Sequence, residues 1–235
     1  PGPVVLPVVH VRDTAQTLAN LDTAFAASAP GAFLINHDFG VQAFLPLIRT
    51  ARTAFPQAWI GVNFLAVTGR DAFAVLGRLA REGVRIDAYW ADDARIDERA
   101  SHQTEADAIQ VARTASGWDG LYFGGTAFKK QRPVAPEHWQ RAAALAAPYM
   151  DAVTTSGTAT GEAAALDKIT AFRVGAGARP LALASGVTPE NAAHYAGVDA
   201  FLVATGINHP GDFYTIDPAR LTALLEVSAD LGRTP

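Results

Sequence analysis

From one end to the other, this chain alternates short apolar stretches, rich in Val, Ile, Leu, Phe and Ala, with longer segments whose apolar residues recur at three and four. The first kind fits strands buried on both faces, and the second fits amphipathic helices laid over them. Val4–Val11 and Ala32–Asn36 predict the first two strands, followed by strands over 58–64, 85–90, 118–123, 151–155, 181–184 and 199–203. Pro7 is awkward inside a central strand and predicts a local irregularity. Between the strands, Asp13 or Thr14 can cap a helix through Leu18, Leu21 and Phe25, and a second helix carries Phe44, Leu47 and Ile48. Further helices are expected over 71–81, 101–115, 136–147, 162–173 and 189–195, with a last one opened by Asp217-Pro218. Eight strands, each followed by a helix, predict a closed (β/α)8 TIM barrel in one domain over residues 1–235. An open doubly wound sheet would leave two edges and usually carries an early G-x-G-x-x-G turn, which this sequence lacks.

Composition removes several function classes. The 235 residues carry a formal net charge of −4 with no block of like charge, so nucleic acid is not an expected partner. Cysteine is absent, which excludes a disulfide framework, a thiolate metal site and a cysteine nucleophile. No apolar run approaches the ~20 residues of a membrane-spanning helix, and a soluble cytoplasmic protein is expected. The chain begins at Pro1 instead of a methionine, so native residues or a processed leader are expected before it.

Three consecutive strands end in small, glycine-containing turns: Ser156-Gly157-Thr158-Ala159-Thr160-Gly161, Ser185-Gly186-Val187-Thr188-Pro189-Glu190-Asn191, and Ala204-Thr205-Gly206. In a parallel barrel such turns lie at the carboxyl ends of the strands, the face that binds ligands. Glycine admits close backbone approach, and helix amino ends present free N–H groups, so the expected guest is a phosphate. Ser156, Gly157, Thr160, Ser185, Gly186, Val187, Thr205 and Gly206 are the expected phosphate-binding residues, with Thr188 capping a helix that Pro189 begins.

At the same face, His10, Asp38, Asn63 and Lys129 are the expected catalytic residues. A histidine or carboxylate there can act as acid or base, and a lysine can stabilise an oxyanion or form an imine. Asn36 and His37 share these strand ends. Asp92 and Asp93 read better as part of a solvated Asp- and Arg-rich loop over 91–100, itself long enough to be a binding loop or lid, as is the loop over 124–133. His37 beside Asp38 lacks the H-x-H or H-x-x-x-H spacing of a metal pair, so neither metal nor cofactor is expected.

The segments 153–161, 183–191 and 203–206, with Asp217-Pro218 beyond, resemble the BtpA family, a group of TIM barrels that includes SgcQ-like proteins and is named for a member linked to photosystem I biogenesis. Val9-His10, Gly61-Val62-Asn63 and Lys129 are similar to its segments at strands one, three and five. The chain departs from the family at Gly124-Gly125, where an acidic residue is expected, at Asn36-His37-Asp38, where the family tends to Glu-Asn, and at Asn208, where a lysine is common. Two functions are therefore expected as alternatives. One is an isomerase- or lyase-type enzyme on a small phosphorylated ligand, such as a sugar phosphate or a nucleotide-like molecule. The other, which the resemblance implies, is a non-catalytic assembly or regulatory factor. A homo-oligomer is the expected assembly.

Overall fold

The first strand, β1 (Val4–Val11), pairs in parallel with β2 (Ala32–Asn36) on one side and with β8 (Ala200–Val203) on the other. That pairing closes a sheet whose remaining members are β3 (Ile60–Asn63), β4 (Ala88–Ala91), β5 (Leu121–Gly125), β6 (Ala152–Ser156) and β7 (Leu181–Ala184), all parallel and in chain order. The computed structural model describes residues 2–159 and 161–232. Barrel closure staggers the strands. Val4 to Pro7 accordingly register on β8, and Val8 to Val11 on β2. Pro7, which brings no N–H to the ladder, sits where β1 changes partner, and the strand runs through it unbroken.

The helices are α1 (Thr14–Ala26), α2 (Val41–Ala54), α3 (Gly69–Arg81), α4 (Thr104–Ser116), α5 (Trp139–Ala146), α6 (Leu166–Ala176) and α7 (Pro218–Leu231). Asp13 caps α1 by accepting from Gln16 N, and Asp217 caps α7 by accepting from Ala219 N. The helix expected over 189–195 is not there; between β7 and β8 lies only a single 3-10 turn, Ala192–Tyr195. The segment is too short to offset the cost of nucleating an α-helix. In addition, Asn191 uses its side chain locally, accepting from Thr188 N at 2.8 Å and donating to Gly186 O at 2.8 Å.

Alternation along each strand divides the core in two. Outward residues such as Leu34, Val62, Tyr89 and Phe201 pack beneath the helices. Inward residues such as Leu6, Val8, Phe33, Ile35, Trp90, Phe123 and Leu202 fill the barrel. Phe33 stands edge-on to Trp59, Trp90 and Phe123, with ring centroids 5.4 to 5.9 Å away. It has room because Gly61 lacks a side chain: a Cβ there would lie 2.3 Å from the Phe33 ring.

At the amino ends of the strands one arrangement occurs three times. Asp87, ahead of β4, accepts from Ile60 N and from Arg52 of α2, at 2.8 and 2.7 Å. Asp151, ahead of β6, accepts from Tyr122 N and Arg113 of α4, at 2.7 and 2.5 Å. Asp199, ahead of β8, accepts from Leu181 N and Arg173 of α6, at 2.8 and 2.6 Å. Each carboxylate thus ties a strand amide to the arginine of the helix before it, and the three sites differ in exposure. The Asp87 side chain is 16% exposed, Asp151 34% and Asp199 54%. Breaking a buried pair by removing one partner costs ~3 to 5 kcal/mol, whereas an exposed pair contributes ~1 or less. Urea unfolding of Asp87→Ala, Asp151→Ala and Asp199→Ala should therefore show losses in that descending order, with about 3 kcal/mol for the first. Equal losses at all three positions would refute the dependence on burial.

Candidate functional site at the carboxyl ends of the strands

The period of two that places Val8 and Trp90 inside the barrel places His10 and Asp92, two residues further on, at its mouth. There they line a single pocket with His37 after β2, Lys129 and Lys130 after β5, Ser185-Gly186 after β7 and Thr205-Gly206 after β8. Trp90 forms part of its wall, and among the described residues its Nε1–H has no acceptor.

His10 is 6% exposed, and its Nδ1 lies 2.8 Å from Phe213 O. A carbonyl can only accept, so Nδ1 carries the proton and Nε2 keeps its lone pair. The ring packs against Phe213 at 3.8 Å and meets His37 edge-on at 4.6 Å between centroids. Burial first, and the neighbouring His37 second, push its pKa down to about 4. Burial also lowers that of His37. The proton geometry of His10 depends on the loop over 204–217, which is strapped to α1: Gln16 and Asn20 both donate to Tyr214 O, and Ile216 N donates to Asn20 Oδ1.

Asp38 belongs to that strap and not to the pocket wall. It is exposed at the rim, where its carboxylate accepts from Tyr214 OH at 2.8 Å. Asn63 is wholly buried and donates to Asp92 Oδ1 at 2.9 Å, so it acts on the pocket through Asp92. Asp92, read from the sequence as solvated, is half-buried instead. Burial raises its pKa against the lowering effects of Asn63 and Lys129. Burial lowers the Lys129 amine, and Asp92 partly opposes this. A carboxyl shifted up and an amine shifted down on one pocket wall bring the two proton affinities closer together, which suits the pair to proton transfer. The usable signal for Asp92 was the inward series Ala88, Trp90, Asp92. It was hidden because the strand starts three residues later and ends one residue later than its apolar run suggests.

The glycine turns divide between two pockets. Ser185 and Gly186 both adopt left-handed backbone, φ 76° and 73°. A Cβ on Gly186 would lie 2.0 Å from Glu162 O, and one on Gly206 would lie 1.9 Å from Val187 O. The turns after β6, β7 and β8 are therefore in direct contact, and among the described residues the N–H groups of Gly186, Thr205 and Gly206 have no acceptor. Val187 is buried under Gly206 and does not line the pocket. The Ser185 hydroxyl is taken up by the neighbouring turn, accepting from Gly161 N and donating to Ala159 O. Ser156 is buried, accepts from Lys129 N and donates to Gly157 O; with Gly157 it faces an adjacent pocket. Thr160 lies outside the described residues. With no α-helix after β7, Thr188 and Pro189 begin no helix, so an anion here would rely on the turn amides themselves. Asn208 donates to Phe213 O and serves the strap.

No family model matches the chain, and no curated protein matches it in sequence. Several solved structures do share its fold. Phosphoribosyl anthranilate isomerase from Thermus thermophilus is 18% identical, with a TM-score of 0.63 over 97% of this chain and 98% of that one. The tryptophan synthase alpha chain from Legionella pneumophila subsp. pneumophila is 13% identical, with a TM-score of 0.66 over 99% and 94%. The (S)-3-O-geranylgeranylglyceryl phosphate synthase from Thermoplasma acidophilum, solved with its substrate sn-glycerol-1-phosphate, is 13% identical, with a TM-score of 0.65 over 97% and 94%. At these identities the likeness is one of fold: the chain is a TIM barrel. No helix among the described residues is long and apolar enough to cross a membrane.

The buried, neutral His10 has a consequence for stability. Its pKa is about 4 in the fold against an ordinary histidine value of 6.5, so the unfolded chain binds the proton first as pH falls. The stabilisation is intact above about pH 6.5 and is lost on acidification through about pH 4. Between pH 7.5 and 4.5, wild type should lose about 2 to 3 kcal/mol more than His10→Asn, as measured by urea unfolding at the two pH values. Parallel losses in the two proteins would show that His10 titrates normally.

Proposed function

We propose that this pocket is the active site of an enzyme that moves protons on a small phosphorylated metabolite, as isomerases and lyases do. The carrying observation is convergence: Asp92, Lys129 and His10 line the same pocket as the unpartnered amides of Gly186, Thr205 and Gly206. The amides hold the phosphate at the β7 and β8 turns. Asp92 takes or gives a proton, with Asn63 fixing its orientation, and Lys129 stabilises the charge that develops on a substrate oxygen. His10 offers Nε2 as a neutral acceptor because its other nitrogen is held by Phe213 O. The names of the fold neighbours, an isomerase acting on a phosphoribosyl compound and a synthase crystallised with a glycerol phosphate, agree with this ligand class. They do so by analogy of fold only.

The second reading is a non-catalytic factor of the BtpA type, whose family the Ser-Gly and Thr-Gly segments resemble. It draws support from Ser156 and Ser185, whose hydroxyls are used between loops and are not left for a ligand.

The two readings separate in one series. Thermal unfolding in the presence of phosphorylated metabolites should identify a stabilising compound, since a ligand at 100 times its Kd adds about 2.7 kcal/mol. NMR of that compound incubated with protein should show conversion by wild type and a loss of about 100- to 10,000-fold in Asp92→Asn, with binding retained. Binding without conversion by wild type favours the factor. No stabilisation by any phosphorylated compound removes the phosphate reading. Gly186→Val is a poor probe of the cradle, because left-handed φ and the Glu162 carbonyl would disturb the turn whether or not an anion binds there.

A further inference from the structure

The pocket described above has a neighbour that shares a wall with it. Lys129 and Lys130 line both, and the second lies between the turns after β5 and β6, against the start of α6. Its charged lining residues are Lys129, Lys130, Arg132 and Lys168, with no carboxylate among them. Arg132 is already neutralised, pairing with Glu98 at 2.5 Å and Asp97 at 3.4 Å. The three lysines form no ion pair among the described residues.

Lys168 is the unusual member. It is 8% exposed, and its Nζ donates to Ala127 O and Ser156 O, both at 2.7 Å. An ammonium has three donors, so one is left over, and two neutral carbonyls do not cancel its charge. The nearest acids in the chain face elsewhere: Glu162 accepts from Thr158 Oγ1, and Asp167 accepts from Lys168 N; both are exposed. Keeping a buried cation without a counter-charge is expensive. Its cost falls when an anion enters the pocket it lines. At the same wall, Ala165 occupies the N-cap of α6 with no side-chain cap, so the Leu166 and Asp167 N–H groups, which have no acceptor among the described residues, add to the positive field, while that of Lys168 is taken up by Asp167.

We propose that the ligand of this barrel carries two anionic groups, one at the Gly186 and Gly206 turns and the other in the pocket of Lys168, with the reacting carbon between them beside Lys129. This rests on the phosphate reading of the first pocket and narrows it to a doubly anionic metabolite. The β5 turn that presents Lys129 is fixed from the second pocket, because Ser156 accepts from Lys129 N and Lys168 grips Ala127 O. An anion at Lys168 therefore steadies the segment that carries the proposed electrophile.

Calorimetric titration with orthophosphate and with α,ω-alkanediol bisphosphates of four to six carbons tests the proposal. Matched ω-phosphooxy carboxylates serve as a third arm that tells which anion the second pocket prefers. The informative variant is Ala165→Asp. Asp is a favourable N-cap residue, so the fold should hold, while a carboxylate now lines the second pocket. Wild type should bind the best doubly anionic probe about 10- to 100-fold more tightly than orthophosphate, and Ala165→Asp should erase that gain. On 15N-lysine spectra of wild type, the Lys168 ammonium should shift with the doubly anionic probe. If orthophosphate binds while the double probes gain nothing, or gain equally in Ala165→Asp, the second subsite is overturned and the first pocket stands. If neither probe binds wild type, both readings fall together.

Discussion

Closure of the sheet is the constraint on which everything else depends. A closed parallel barrel buries both faces of every strand, so its interior tolerates polar side chains only near the mouths, where water or a ligand can reach them. The inner face of β1 shows the consequence: Leu6 and Val8 are buried among apolar neighbours, and His10, the next inward residue, is the first polar one. The same holds from Gly61 to Asn63 and from Trp90 to Asp92. The interior is also lopsided, with Phe33, Trp90 and Phe123 meeting edge to face while β6 and β7 contribute Ala152, Ala182 and Ala184. Large rings from one side of the barrel fill the space that alanines leave on the other, and the pocket floor rests on that packing.

The two ends of the barrel use charge in opposite ways. At the amino ends, Asp87, Asp151 and Asp199 are each matched by an arginine and a strand amide, and these bonds hold helix to sheet. At the carboxyl ends, Lys129, Lys130 and Lys168 have no ion-pair partner among the described residues, and Asp92 is met by an amide nitrogen, not by a cation. Uncompensated charge in a partly buried place costs stability and is the ordinary signature of a site built for something other than folding.

Strand order, barrel closure and most helices were legible in the sequence because each rests on local periodicity, which burial on two faces or one makes plain. What failed were features decided between elements. The 3-10 turn after β7 replaces a helix because Asn191 bonds its own neighbours, a competition that apolar spacing does not register. The Ser156 hydroxyl, expected at the ligand, accepts from Lys129 N of the preceding loop, and Asp38, expected in catalysis, accepts from Tyr214 OH at the rim. Gly124-Gly125, which departs from the family resemblance, has a steric reason visible only in three dimensions. A Cβ on Gly125 would lie 1.9 Å from Asp92 O, so the strand end that presents Asp92 needs a glycine beside it.

The loop over 204–217 joins the two halves of the first pocket. Its start supplies Thr205 and Gly206 to the amide cradle, and its far end supplies the Phe213 carbonyl that fixes the His10 tautomer. Between them, His209 N donates to Thr215 O and Asp217 N to Ile207 O, so the segment folds back on itself as one stiff unit. Asn20, buried on α1, accepts from Ile216 N and donates to Tyr214 O, and Asn208 joins His10 on Phe213 O. An anion held at those amides, as proposed, would therefore bear on the loop that sets which nitrogen of His10 is free. A displacement of Phe213 O would remove the acceptor that pins the proton to Nδ1, and with it the preference for a lone pair on Nε2. An anion bound as proposed would in this way be coupled to the chemical state of the histidine through a single connection, held to the first helix by Asn20 and Gln16.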